Sequence, residues 1–330
     1  MAMMLASQNA VALADPNSGR VLSQVELNNP SYIARSADGR FAYCVNEDLS
    51  GPGAVEALRI TDQELVMHGE AVPSGGDQPC HISVHPTAPF VMVANYGSGT
   101  VAVLPIEPDG KLAAPSCVVQ HTGAGPDVPR QTGPHTHQII TDPSGQWVLA
   151  CDLGADVVIV YRLDENSGEL RRKNTTRFAP GQGVRHLAFS PDGRSAYVAC
   201  ELSSELVTCR FDPRTGALTV DNTLRTVDEE YDQRNYPAAV AVSTDGARVY
   251  VTNRGHDSVA VIDAKVGELI GTRPCGGAWP RDAAISRDGT HLYIANEHSD
   301  TVVPFAITSR VPQDTDLPRI EFGKATCVVP

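Results

Sequence analysis

Six positions at the ends of similar apolar runs carry six side chains that differ in charge and reach. After Asn46, Asn95, Cys151, Cys200, Asn253 and Asn296 come Glu47, Tyr96, Asp152, Glu201, Arg254 and Glu297. A second set, His81, His135, His137, Arg185, His186, Arg281 and Asp282, stands at the start of neighbouring apolar runs. Arginine grips a carboxylate or phosphate through two parallel bonds, and His or Glu can move a proton near neutral pH. Together they suit acid–base work on a small anion. The plainer alternative is that the charges neutralise one another in a wet interior. That accounts for any single member, but less well for Arg185, Glu201 and Arg254 taken jointly.

Other chemistries lack their residues. His135 and His137 sit two apart, and on a strand such a pair shares a face, as metal ligands do. Spacing nominates no third ligand, so no metal is expected. There is no Gly-x-Ser-x-Gly elbow, phosphate loop or zinc signature, which removes the serine-hydrolase and nucleotide readings. The remaining histidines, His68, His85, His121, His256, His291 and His298, read as turn or surface residues. The eight cysteines show no Cys-x-x-Cys spacing, and several lie inside apolar strand patterns, where a reduced thiol acts as a small hydrophobe.

The elements that must position these groups repeat along the chain. Residues 181–203 show the unit: Leu187 and Phe189 alternate with other side chains, Pro191, Asp192 and Gly193 make a turn, and Tyr197 and Ala199 alternate again. Arg185 and Glu201 are thereby brought to one end of a hairpin. Copies begin near Pro30, Pro79, Pro134, Val184, Tyr236 and Trp279. Repeats of about 45–55 residues carrying period-two strands have the size of a propeller blade. Residues 325–330 resemble the first strand of a copy, and residues 3–5, 10–14 and 21–27 resemble the other three. The reading is therefore all-β: a seven-bladed β-propeller, closed by N- and C-terminal strands sharing one blade, with residues 1–330 as a single domain. Two inserts, 120–133 and 228–235, are expected to cover the same mouth of the central channel.

Composition agrees with a small-molecule protein. Apolar residues make up 42%, and 24 Pro and 28 Gly suit many short strands and turns. A formal net charge of -13 argues against nucleic-acid or anionic-membrane partners. No stretch has the length of a membrane span, and residues 1–5 lack the features of a secretory leader, so a cytoplasmic monomer is expected.

Taken as a set, Pro79-Cys80-His81, Tyr96, Pro134-His135-Thr136-His137, Asp152, Arg185-His186, Glu201, Tyr236-Pro237, Asn253-Arg254-Gly255 and Pro280-Arg281-Asp282 resemble the lactonase family of seven-bladed propellers. That family includes the propeller-type 6-phosphogluconolactonases and the fungal carboxy-muconate cyclase. The likeness runs from Asn29 to Phe305. It implies cofactor-free hydrolysis of a small anionic sugar lactone, with 6-phosphogluconolactone foremost, in carbohydrate metabolism. It implies a catalytic set of His135, Arg185, Glu201 and Arg254, with His135 or Glu201 as base. His81, Tyr96, His137, Asp152, His186, Asn253 and Arg281 are expected to bind substrate. Muconate-type cycloisomerisation is the alternative within enzymes, and a non-catalytic binding scaffold the alternative outside them.

Overall fold

Four hairpins of the repeat turn on a side chain that adds to the backbone hydrogen bonds. At Ser36, Ser190, Ser243 and Ser286 the hydroxyl donates to Asp38, Asp192, Asp245 and Asp288 two residues on, at 2.6–2.7 Å. The glycine that follows takes positive φ at Gly39, Gly193, Gly246 and Gly289, between 67° and 73°. A side chain there would be strained, so the turn is fixed by residue type.

The computed structural model describes every residue except Met1, Ser50 and Asp62. Among the described residues all regular structure is β, in seven antiparallel sheets. In blades two to six the first strand in sequence is innermost: Pro79–Val84, Thr136–Thr141, Val184–Phe189, Tyr236–Val242 and Pro280–Ile285. Blade one opens with Ile33–Arg35, and its outer edge is split between Leu65–Met67 and Val72–Asp77, which both pair with Pro52–Ile60. The closing blade takes Ala325–Val329 innermost, beside Met3–Ser7, Ala10–Asp15 and Arg20–Glu26. The strand assignment of both ends is thus as expected.

The core lies between blades. Leu149, Val158 and Val160 of blade three meet Leu187, Val198 and Val207 of blade four, and Met4, Leu13 and Cys327 of the closing blade meet Ile33, Cys44 and Leu58 of blade one. All eight cysteines are free, seven of them buried.

Six inner strands share one irregularity, which Ile33–Arg35 of blade one lacks. Where each pairs with its neighbour the register slips, leaving one residue unopposed: Cys80, His137, Arg185 and Arg281 in blades two, three, four and six, and Thr326 in the closing blade. In blade five two are passed over, Ala238 and Ala239. A bulge of this kind re-aims a side chain without disturbing the strands outside it. In each of these six blades the slip falls at the end of the inner strand that carries the mouth residues.

Removing residues 325–330 takes Cys327 and Val328 out of the core and bares the edge of Met3–Ser7. Such a truncation is expected to lower the unfolding free energy by about 3 kcal/mol or more, the scale of losing buried side chains, and to promote association through the open edge. Urea midpoints and size-exclusion profiles against the full chain check this.

Candidate active site

Glu201 directly follows the second strand of blade four, Ser195–Cys200, and is 3% exposed. Arg254 Nη2 donates to its Oε2 at 2.6 Å, and Arg130 Nη2 to its Oε1 at 2.7 Å. Arg185, delivered by the blade-four bulge, brings Nε to 2.9 Å from Oε2 without pointing at it. Neither Nε nor Nη1 of Arg185 makes a hydrogen bond within the protein, although the side chain is 2% exposed. Burial alone would raise the Glu201 carboxyl, but Arg254, Arg185 and Arg130 together hold it well below the usual carboxylate range.

His135 stands one tyrosine ring away. Its imidazole stacks on Tyr96, centroids 4.5 Å apart, and the Tyr96 hydroxyl accepts from Arg130 Nη2 at 3.3 Å. His135 Nδ1 lies 2.9 Å from the Tyr96 carbonyl oxygen. A carbonyl only accepts, so Nδ1 carries the proton and Nε2 of the neutral ring keeps its lone pair. The backbone N–H of His135 is held by Asp152 Oδ1 at 2.9 Å. Gly154 packs beneath: a Cβ there would fall 2.0 Å from the Gly133 carbonyl oxygen and 2.8 Å from the His135 nitrogen.

Across the channel Arg281 Nη1 donates to Glu297 Oε2 at 3.2 Å, and its Nη2 is 4.0 Å from Glu47 Oε2. Burial raises the Glu47 carboxyl, against the pull of Arg281. Deeper in the channel, His186 of blade four lies 5.4 Å from His81 and 5.2 Å from His137, ring centre to ring centre. Tyr32 of blade one covers His81 at 4.3 Å. Burial first, and then the charge of Arg185, pushes His137 and His186 well below the usual imidazole value and His81 to about 3.

The structure therefore gathers His81, Tyr96, His135, His137, Arg185, His186, Glu201, Arg254 and Arg281 at the mouth and throat of one channel. Two expected substrate-binding residues are not free to act so. Asp152 is fully buried, its oxygens taken by the backbone of His135 and Ala155 and by His121. Asn253 is fully buried and bonded to Asn235, Thr226 and Ser258. Both short side chains turn back to tie loops rather than forward. The Tyr96 carbonyl orients His135, and Glu201 faces arginines. His121 is not a surface residue but a buried one, between Asp152 and the Tyr161 hydroxyl, and His85 is 3% exposed, its Nδ1 accepting from the backbone of Ala88. Among the described residues no group of three or more His, Cys, Asp or Glu side chains could hold a metal ion.

Three residues at the site were missed. Arg130 is the one Arg or Lys within 120–133, the insert expected over the mouth. Tyr32 occupies in its repeat the place of His81 in the next. Trp279, with φ of 61°, stacks on His298 at 4.8 Å and has the Arg254 guanidinium carbon 5.7 Å from its ring centre.

Residues 12–330 match the family model described as a seven-bladed β-propeller lactonase. A 6-phosphogluconolactonase of Bacillus subtilis is 37% identical over 263 residues, 78% of this chain and 74% of that one. A putative 6-phosphogluconolactonase structure from Bacteroides fragilis superposes with a TM-score of 0.88 at 28% identity, covering 99% of this chain and 96% of its own. A periplasmic gluconolactonase of Pseudomonas aeruginosa gives 0.89 at 29% identity, over 100% and 99%.

Two outcomes follow from this geometry. Gly154→Ala must displace the 133–135 segment and is expected to lower turnover at least tenfold through His135, with cooperative unfolding retained; kinetics beside a thermal melt test it. The three buried imidazoles are neutral when folded and take up protons when unfolded below about pH 6.5. Stability is then complete above that value and falls as pH drops, with a slope of up to about 4 kcal/mol per pH unit if all three take part. Glu201, its carboxyl depressed in the fold, adds a further loss below about pH 4. Urea titrations between pH 7 and pH 4 would find no slope if the imidazoles were already charged in the fold.

Proposed function

The chain belongs to the lactonase family of seven-bladed β-propellers and is a lactone hydrolase, and on that footing we propose that it opens 6-phosphogluconolactone to 6-phosphogluconate, with His135 as general base. The observation that carries the assignment is the bond from His135 Nδ1 to the Tyr96 carbonyl, which leaves Nε2 as an acceptor on a ring stacked against Tyr96, itself bonded to Arg130 of the arginine cluster. Glu201 is a poor base by comparison: three guanidiniums favour its ionised form so strongly that it has little affinity for a proton.

In this reading Nε2 takes a proton from water as its oxygen attacks the lactone carbonyl carbon. The carbonyl oxygen becomes an oxyanion, stabilised by Arg254 and by the uncommitted donors of Arg185. Collapse breaks the bond to the ring oxygen, which receives the proton from the His135 imidazolium, and the acid product ionises. Arg185 and Arg254 are buried and pinned by Glu201 before substrate arrives, so little reorganisation is needed as charge develops. Arg281, with Glu47 and Glu297 opposite, meets the hydroxyl-bearing side of the sugar. Eight free thiols favour the cytoplasm, and a ring closed on its own strands favours a monomer.

Acid release in a pH-indicator assay tests the proposal with 6-phosphogluconolactone. His135→Gln is expected to lower kcat about 100-fold or more, the usual worth of a positioned base. Arg254→Ala is expected to cost about 100-fold or more in kcat, with a smaller change in KM. Undiminished turnover in the His135 variant would remove the base assignment.

A further inference from the structure

Beside the mouth lies a second cavity. Residues 120–133 and 228–235 lean together over the top of blade four and enclose about 310 Å³, with Asp127, Arg130, Ser204, Gln233, Arg234 and Tyr236 among the walls. Arg130 is the partition: its Nη2 reaches Glu201 and Tyr96 on the inner side, while the side chain, 35% exposed, also lines the cavity. Arg234 lines it too, and its Nη1 donates at 3.0 Å to the Tyr236 hydroxyl rather than to a carboxylate. Tyr236 in turn accepts from Arg254 Nε through its backbone carbonyl, at 3.2 Å. One cation of the cavity thus binds Glu201 directly, and the other is joined through Tyr236 to Arg254, which binds it too. Asp127 is the one carboxylate in the lining, against two guanidiniums.

The walls are fixed before anything binds. Ser204, held at φ of 61°, donates through its hydroxyl to the Asn235 carbonyl at 2.8 Å and so ties the 228–235 loop to blade four. Gln131 does the same for the other loop, donating to the Leu153 carbonyl at 2.8 Å while its side-chain oxygen accepts from the Asp127 backbone at 3.2 Å. Planar guanidinium forks on anchored loops match a tetrahedral oxyanion better than a mobile lysine would.

We infer that this cavity is the subsite for a phosphomonoester carried at the end of the substrate remote from the lactone carbonyl, clamped between Arg130 and Arg234. The inference rests on the lactonase reading above and deepens it: the enzyme would select phosphorylated over plain sugar lactones, and the selection would sit on the two inserts instead of the channel. A lactone carbonyl beside Arg254 and a phosphate beside Arg234 would be bridged along the wall that Tyr236 provides.

The test is calorimetric binding of 6-phosphogluconate and of gluconate to the wild type, Arg234→Ala and Arg234→Lys. Expected are tighter binding of 6-phosphogluconate by the wild type, about a tenfold loss in Arg234→Ala confined to that ligand, and partial recovery in Arg234→Lys. Arg234 is exposed, so its removal leaves the fold, read by the thermal melt, in place. Equal wild-type affinity for the two acids, no measurable binding of either, or an Arg234→Ala loss that is absent or shared by both, overturns the subsite. Lactone turnover is read separately: if it is absent while the phosphate preference survives, the hydrolytic reading fails and the subsite stands.

Discussion

One buried carboxylate sets the geometry on which the site depends. Arg130 comes from a loop, Arg185 from a bulge and Arg254 from the end of a strand in the next blade, and their guanidiniums converge on Glu201. Like charges that close in a poorly solvated place repel strongly, and only the acceptor between them lets the three share it. Buried ion clusters are not a reliable source of net stability. What this one supplies is position. By holding three cations at known points Glu201 gives up its own capacity to carry a proton, and the proposed mechanism accordingly gives the acid–base role to the imidazole that the cluster does not bind.

The bulge does for the channel what the carboxylate does for the arginines. Strand order is much alike from blade to blade, so the scaffold by itself would present a nearly uniform ring. One unopposed residue near the top of an inner strand breaks that uniformity: Cys80, His137, Arg185, Arg281 and Thr326 stand at equivalent places with unlike chemistry. The frame tolerates the variety because the bulged residue is not part of the ladder. One step further in, Tyr32, His81 and His186 form a neutral aromatic lining, held uncharged by burial.

Much of this was legible in the sequence because the signals are local. Period-two alternation and the Ser-x-Asp-Gly turn fix the hairpins, and the pieces at either end complete one another's blade. The mouth column was found by the same logic, since strand ends in a repeat fall at one level. Level is not direction, however. Asp152 and Asn253 lie at the right height, but their short side chains fold back onto backbone and loop partners, and His121 is drawn inward by Asp152 and Tyr161. Arg130 escaped notice because its partner is 71 residues away and on another blade. Trp279 escaped because nothing in its neighbours announces that it will flank Arg254.

The closing blade also has a consequence in time. The Thr326 hydroxyl donates to the Ala6 carbonyl across 320 residues of chain, so the first blade to be started in synthesis is the last to be finished. At the usual pace of translation the apolar strand Met3–Ser7 waits on the order of tens of seconds for its inner neighbour. During that wait the other blades can assemble in order, but the ring stays open and Met4 and Leu5 lack their final partners. The order in which the ribosome releases the chain therefore makes ring closure a late event, gated by the emergence of Ala325–Val329.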